Sequence, residues 1–164
     1  MTTPLQTLSL QIFGISTGFV TAGAITALSY STVPIFLEHP NEVSLRHLRA
    51  LFSSGSHIFP QLATASSAAF SALAYYAPPS SSLRNQYVLA AVGAIGIAPF
   101  TVFVMKPTNM TLKEIGEEGQ EGIKKAGGEQ RVQELLRRFG RLNALRGGIL
   151  ALGAAIGLKA ALSP

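Results

Sequence analysis

The chain has 164 residues and contains no cysteine, no aspartate and no tryptophan. Without cysteine it cannot form disulfides, zinc–thiolate sites, iron–sulfur clusters or a cysteine nucleophile. Without aspartate it has no Ser–His–Asp triad, and no glycine-rich nucleotide-binding loop is present either. Charged residues make up only 13% of the chain, against roughly 25% in ordinary globular proteins. Together with a mean hydropathy of +0.34, this favours a membrane protein over a soluble domain.

Four stretches are long and apolar enough to cross a bilayer core, which takes about 20 helical residues. These predicted spans cover residues 12–37, 57–77, 87–105 and 142–162. The first stretch is uncharged and too long for the apolar part of a cleaved signal peptide. Pro60 interrupts the second span early, and Pro99 predicts a kink in the third. The last span extends a helix that begins near Glu129, because Leu135, Leu136, Phe139, Leu142 and Leu145 recur at helical spacing.

The predicted fold is therefore an all-α, four-helix transmembrane bundle of one domain, with its last helix extended beyond the bilayer. Small residues at four-residue spacing, Gly14/Gly18 and Gly153/Gly157, predict close helix packing in lipid. A first loop is expected between residue 38 and the second span, and a polar segment over residues 106–141. Within that segment, residues 113–128 are rich in Glu, Gly and Lys and predict an interfacial loop or a short surface helix.

The distribution of basic residues predicts the orientation. Eleven of the thirteen Lys and Arg residues fall on the side of the two larger loops, and only Arg84 and Lys159 fall with the termini. The positive-inside rule places the larger loops in the cytoplasm and both termini on the other side of an endomembrane such as the endoplasmic reticulum. The Asn109-Met110-Thr111 glycosylation pattern would then stay unmodified. Because the basic residues flank apolar spans, they favour contact with lipid head groups over nucleic acid; a homo-oligomer is one arrangement that the sequence permits.

Polar residues that are costly in lipid collect at the predicted cytoplasmic end. The third span ends there at Thr108 and Asn109, and the fourth begins with Asn143 and Arg146, which share one helical face. Ionisable and amide groups at this depth usually face the interior of a bundle. Each residue alone has a structural explanation, such as snorkelling for Arg146. Their convergence makes Asn109, Asn143 and Arg146 the candidate site.

Three histidines, His39, His47 and His57, lie in or beside the first predicted loop, with Glu38 and Glu42 nearby. Two His and one carboxylate can hold iron and leave positions open for oxygen. The spacing is not diagnostic, so a metal-dependent oxygenase is an alternative here rather than the expectation.

A family resemblance rests on four features of the sequence. They are the four-span layout, the stretch Gly14 to Pro34, the exit Lys106-Pro107-Thr108-Asn109 and the run Arg141 to Gly147. The chain resembles the fungal anthrone oxygenases, in which a Pro-Thr-Asn or Pro-Ile-Asn element precedes an Asn-x-x-Arg element. Both elements are present. Relatives often have Trp a few residues before that Asn, where this chain has Phe139 and Gly140.

The resemblance implies oxidation of an anthrone-type aromatic polyketide to the anthraquinone by molecular oxygen, through an enolate and without an organic cofactor; no cofactor is expected, with a metal ion as the alternative. For this chemistry we expect Arg146, with help from Asn143 and Asn109, to stabilise the enolate oxygen and His57 to remove the proton. Tyr30 and Thr108 are candidate substrate-binding residues. The alternative is a non-catalytic tetraspan scaffold or carrier for hydrophobic intermediates.

Overall fold

The computed structural model describes residues 3–163, apart from the side chains at positions 54 and 56. Within this range the protein is built from helices and contains no strand, which confirms the predicted all-α class. Its helices are α1 (Pro4–Glu38), α2 (Asn41–Tyr76), α3 (Ser82–Glu118), α4 (Gln120–Lys125) and α5 (Glu129–Leu162). Four of them are long and pack as a bundle, while α4 is short and lies at one end.

Helices α1, α3 and α5 are each long and apolar enough to cross a membrane, consistent with an integral membrane protein. Helix α2 is more polar, but its serines are paired within the bundle. Ser66 Oγ donates to Gly14 O (2.7 Å) and Ser67 Oγ donates to Ala91 O (2.9 Å). Because these bonds join α2 to both α1 and α3, the three helices run side by side. A fourth span in α2 stays a prediction.

The first predicted loop is wrong from Asn41 onward, since α2 begins there rather than near His57. Leu45 and Leu48, three residues apart, are buried on one face of the added turns, while Arg46 is exposed. This is an amphipathic helix outside the apolar span. Ser44 Oγ donates to Phe36 O (2.7 Å) and so joins the end of α1 to the start of α2.

The polar segment after the third span is also helical. Helix α3 continues to Glu118, and α4 follows after Gly119, whose φ of +61° suits the turn between them. Residues 113–128 thus form the end of α3 and a short helix. The predicted extension of the last helix is confirmed, since α5 begins at Glu129. Asn41 Nδ2 donates to the backbone oxygen of Glu129 (3.0 Å) and to its carboxylate, which joins the starts of α2 and α5.

Small residues bring the long helices into close contact away from this polar end. A Cβ on Gly93 would lie 2.8 Å from the Cα of Gly153, and a Cβ on Gly18 would lie 2.9 Å from Cβ of Ala154. The backbones of α3 and α5, and of α1 and α5, therefore approach more closely than larger residues allow. This confirms the close helix packing predicted at Gly18 and Gly153, whereas Gly14 and Gly157 make room for the ring of Phe70.

Two helices change hydrogen-bonding pattern toward the polar end. Leu28–Thr32 in α1 and Thr101–Met105 in α3 are π-helical turns. The turn in α3 follows an interruption at Gly96, in the region where Pro99 predicted a kink. Proline lacks an N–H and its ring crowds the carbonyl four residues earlier, here that of Ile95. Such π turns often occur at functional sites, and both border the cavity described next.

Candidate active site

A cavity of about 1020 Å³ lies at the polar end of the bundle. Pockets that hold small molecules usually measure about 300–1,000 Å³, so this one is large enough for a polycyclic ligand. Its walls come mainly from α2, α3 and α5, with Leu28 added by α1. Its apolar lining includes Leu28, Leu51, Phe52, Phe59, Ile97, Val102, Met105 and Phe139.

Arg146 lies in the wall of this cavity, and other cavity residues hold its guanidinium. Nη2 donates to Asn143 Oδ1 (2.8 Å), and Nη1 donates to Thr101 Oγ1 (3.3 Å). The guanidinium carbon lies 5.9 Å from the ring centroid of Phe59, within the range of a cation–π contact. Side chains of α2, α3 and α5 thus fix one cation.

The hydrogen-bond partners of Arg146 are themselves oriented by the backbone. The Thr101 hydroxyl donates to Ile97 O (2.7 Å), which leaves its oxygen free to accept from Arg146. Asn143 Nδ2 donates to Phe139 O (3.2 Å), which turns its amide oxygen toward the guanidinium. These second bonds hold the guanidinium in one position, as preorganised sites require.

Gly147 sets the position of this part of α5 against α1. A Cβ at Gly147 would collide with Thr26 Oγ1 and would lie 3.2 Å from Ala22 O. The two helices therefore touch backbone to backbone immediately after Arg146. This contact fixes how deeply the arginine lies in the bundle.

The charge of Arg146 is not neutralised by a carboxylate within the part of the chain that the structure describes. None of the ion pairs found there includes Arg146. Its Nε is buried without a hydrogen-bond partner, and so is Oδ1 of Asn109, another cavity residue. Unpartnered buried polar atoms are costly, and they call for a ligand or another explanation. The arrangement suits a ligand that carries oxygen atoms.

Aromatic rings form much of the cavity wall. Phe52 and Phe139 meet edge to face, with centroids 5.3 Å apart and an interplanar angle of 77°. Phe139 is buried, so its ring is a fixed part of the wall. A flat aromatic ligand can pack against these rings.

The structure brings together three of the predicted site residues and leaves three outside. Asn109, Asn143 and Arg146 all line the cavity, whereas His57, Tyr30 and Thr108 do not. His57 is exposed, Tyr30 is 73% exposed, and Thr108 is buried at 3% exposure. Sequence reasoning missed Thr101, Phe59 and Phe52. The aromatic spacing in the polar half of α2 was the available signal for the two phenylalanines.

The outer end of the cavity is lined by charged side chains, here called the rim: Arg46, Arg49, Lys113 and Glu117. Arg49 Nη1 donates to Gly116 O (3.4 Å), which bridges α2 and α3. Lys113 Nζ lies 3.8 Å from a carboxylate oxygen of Glu117. The cavity therefore passes from an apolar interior to a charged surface.

The histidines of the alternative metal site are dispersed. His39, His47 and His57 are all exposed, and Nδ1 of His39 is paired with Ile35 O (2.8 Å). Among the described residues, no three His or Glu side chains come together in a way that could hold a metal ion.

Comparison with known proteins gives a consistent result. The sequence profile of the family described as "Anthrone oxygenase" matches residues 48–156. The chain is 32% identical to anthrone oxygenase encC of Aspergillus fumigatus, over 93% of this chain and 92% of that protein. It is 30% identical to anthrone oxygenase nsrD of Aspergillus novofumigatus (87% of each chain) and 27% identical to anthrone oxygenase tpcL of Aspergillus fumigatus (91% of each). No solved structure matches it. The chain therefore belongs to the anthrone oxygenase family, whose members are oxygenase-type enzymes.

Proposed function

We propose that this enzyme oxidises an anthrone-type aromatic polyketide to the anthraquinone with molecular oxygen, inside the cavity between α2, α3 and α5. The observation that carries the proposal is the guanidinium of Arg146, held by Thr101 and Asn143 with no carboxylate partner among the described residues. Such a cation attracts a ligand that becomes negatively charged during the reaction. Aromatic walls and an adequate volume fit the flat carbon skeleton of the substrate.

The chemistry requires little beyond this environment. An anthrone has an acidic CH2 group between two aromatic rings and opposite a ketone. Loss of one proton gives an enolate, which transfers one electron to O2 and forms a carbon radical and superoxide. Their combination forms a C–O bond and, with a proton, a hydroperoxide at that carbon. Loss of water then leaves the second carbonyl of the quinone, so that CH2 and O2 become C=O and H2O. In this proposal no organic cofactor or metal takes part.

The proposed roles follow the cavity geometry. Arg146 stabilises the enolate oxygen, and Asn143 positions the guanidinium through its amide oxygen. Asn109, whose amide has an unpartnered oxygen, orients a hydroxyl of the substrate. His57 is exposed and outside the cavity lining, so its position does not support the role of base. We assign proton removal to water in the cavity, since enolate stabilisation by a fixed cation lowers the demand for a strong base.

We place the rim and the cavity on the cytoplasmic side of an endomembrane, with both termini on the opposite side. The support is the concentration of Lys and Arg around this end of the bundle. Glycosylation mapping tests the orientation: the Asn109 sequence should stay unmodified, whereas an acceptor sequence added at the C-terminus should be glycosylated.

The decisive experiment compares Arg146→Leu with Arg138→Leu, which removes the same charge from an exposed position outside the cavity. Membranes containing each variant at equal amounts are given emodin anthrone, and oxygen uptake and quinone formation are recorded against empty membranes, because anthrones also oxidise unaided. We expect Arg146→Leu to lower kcat/KM by about 100-fold or more. Arg138→Leu should match the wild type.

Retention of wild-type turnover by Arg146→Leu would refute the role of the cation. Quinone formation at the empty-membrane rate by folded wild-type protein that nevertheless binds the anthrone would favour a carrier instead.

A further inference from the structure

The cavity carries more positive charge than enolate stabilisation needs. Four cationic side chains line it, Arg146 inside and three at the rim, against the single carboxylate of Glu117. A cavity with this charge balance attracts anions. A substrate with one ionised group would neutralise only part of its positive charge.

The cations occupy two separate levels. On α3, Lys113 and Glu117 follow Asn109 by one and two turns, or about 6 and 12 Å along the helix. On α2, Arg49 precedes Phe59, which faces Arg146, by ten residues, or about 15 Å. Because α2 and α3 run antiparallel, both place their charges toward the same end, where Arg49 reaches Gly116 O. The cavity therefore has one cation at its inner end and three at its outer end.

The rim cations are only weakly engaged with other protein groups. The Lys113–Glu117 pair is long at 3.8 Å, and both side chains are about half exposed or more, 61% and 48%. Exposed pairs of this kind contribute little. Arg49 donates to a backbone carbonyl at 3.4 Å, and Arg46 takes part in none of the ion pairs among the described residues. Their charge is available to a ligand.

We propose that the rim binds a carboxylate on an outer ring of the substrate, so that the enzyme prefers anthrone carboxylic acids over neutral anthrones. The anthrone part of this statement rests on the proposed function. A carboxylate on an outer ring lies away from the reacting carbon. It can therefore contact the rim while the enolate oxygen contacts Arg146 at the inner end. Lys113 follows Asn109 by one turn and is the rim donor nearest to it along α3. Arg49 contributes a second charge from the facing helix, α2.

A lipid phosphate offers similar oxygen atoms, but the position of these cations favours the substrate. Arg46, Arg49 and Lys113 line the cavity, whereas Arg137 and Arg138 are exposed on α5 and do not. Arg137 and Arg138 can bind lipid head groups at the bilayer surface. The rim cations instead share one cavity with Arg146.

The test measures binding rather than turnover, in phosphatidylcholine nanodiscs. The dissociation constants of anthraquinone-2-carboxylate and of its methyl ester are compared by ligand fluorescence. Wild type should bind the acid more tightly, and the double variant Arg49→Gln/Lys113→Gln should lose about tenfold of that preference. Glu117→Gln should increase it. The matched control Arg137→Gln/Arg138→Gln removes the same charge outside the cavity and should keep the preference unchanged.

An equal preference in wild type and in the rim double variant would overturn the proposal. It would also be overturned if adding phosphatidylglycerol abolished the preference, because the rim would then hold lipid phosphate. Since binding is measured without oxygen chemistry, an intact preference in a protein that forms no quinone would count against the proposed oxidation alone.

Discussion

The two ends of this bundle are built differently. In the packed half, defined by the contacts of Gly18, Gly93 and Gly153, helix backbones touch through glycine and alanine. In the open half, which contains the cavity, large rings such as Phe52 and Phe139 line the space between the helices. Both π turns, Leu28–Thr32 and Thr101–Met105, contribute residues to the open half.

The difference shows how a small membrane protein can keep an internal cavity. Helices in lipid gain little from burying apolar surface, so close backbone packing must supply the attraction. The packed half provides this attraction, which allows the open half to have a cavity and a cation that forms no ion pair with any described residue. Stability and binding are therefore expected to respond to changes in different halves.

Blocking the packed half should have the largest effect. Gly153→Val adds a branched side chain where a Cβ alone would lie 3.1 Å from Ala90 O and 3.2 Å from Ala94 N. Because only backbone atoms could move to make room, we expect the free energy of unfolding to fall by about 3 kcal/mol or more. Thermal unfolding in detergent measures it. Gly148→Val, at a glycine with nothing within 4 Å of its Cβ position, is the control and should be tolerated.

Removing the support of the cation should separate activity from stability. Asn143→Leu keeps the side-chain size but removes the acceptor for Arg146 Nη2. Hydrogen bonds to charged groups contribute about 1.5–3 kcal/mol, so kcat/KM should fall by about 10- to 100-fold. Quinone formation by equal amounts of folded protein measures this. If turnover fell only in proportion to the amount of folded protein, the positioning role of Asn143 would be wrong.

Changing the ring that faces the cation should have a smaller effect. Phe59→Leu keeps an apolar wall but removes the cation–π contact with Arg146. Because such contacts contribute about 0.5–2 kcal/mol, we expect a decrease in kcat/KM of about 3- to 30-fold. Phe103→Leu, at a 79% exposed ring outside the cavity lining, is the matched control. Equal activity of the two variants would contradict a role for the Phe59 ring.

The smallest effect is expected at the surface of the short helix. Side-chain hydrogen bonds to Glu118 and Glu121 raise the pKa of Lys125 above its ordinary value of 10.5. Because the pKa of Lys125 is raised in the folded protein, its interactions stabilise the fold fully at pH values below 10.5. This stabilisation is lost as pH rises through the folded-state pKa. The difference in unfolding temperature between wild type and Lys125→Gln should therefore be small and should not change between pH 6 and 9. A marked pH dependence of the difference in this range would contradict the assignment.

The sequence predicted the architecture well where periodicity or composition was strong. The long last helix followed from the spacing of Leu135, Phe139 and Leu142, and close contacts followed from paired glycines. The polar half of α2 was not predicted because charged residues interrupt its apolar pattern. Leu45 and Leu48, alternating with Arg46 and Arg49, were the signal for an amphipathic helix there.

Which residues of a helix face the cavity was harder to predict. His57 and Phe59 are two positions apart, which places them about 200° apart around a helix. Only the packing of α2 against its neighbours decides that Phe59, rather than His57, meets Arg146. For the same reason Asn109 lines the cavity and Thr108 does not, and Leu28 lines it and Tyr30 does not. Local changes of helical pitch at the π turns shift these faces further, and the residue pattern does not reveal them.

The backbone contact at Gly147 has a consequence for how the specificity of this enzyme can be altered. Because α5 is held against α1 immediately beside Arg146, a contact that does not involve α3 sets the position of the guanidinium, while α3 supplies much of the facing wall. Substitutions at Ala98, Val102 and Met110 reshape the facing wall and leave that anchor untouched. Within the proposed function, such substitutions adapt the cavity to larger or smaller polycycles one residue at a time, while Arg146 keeps its position.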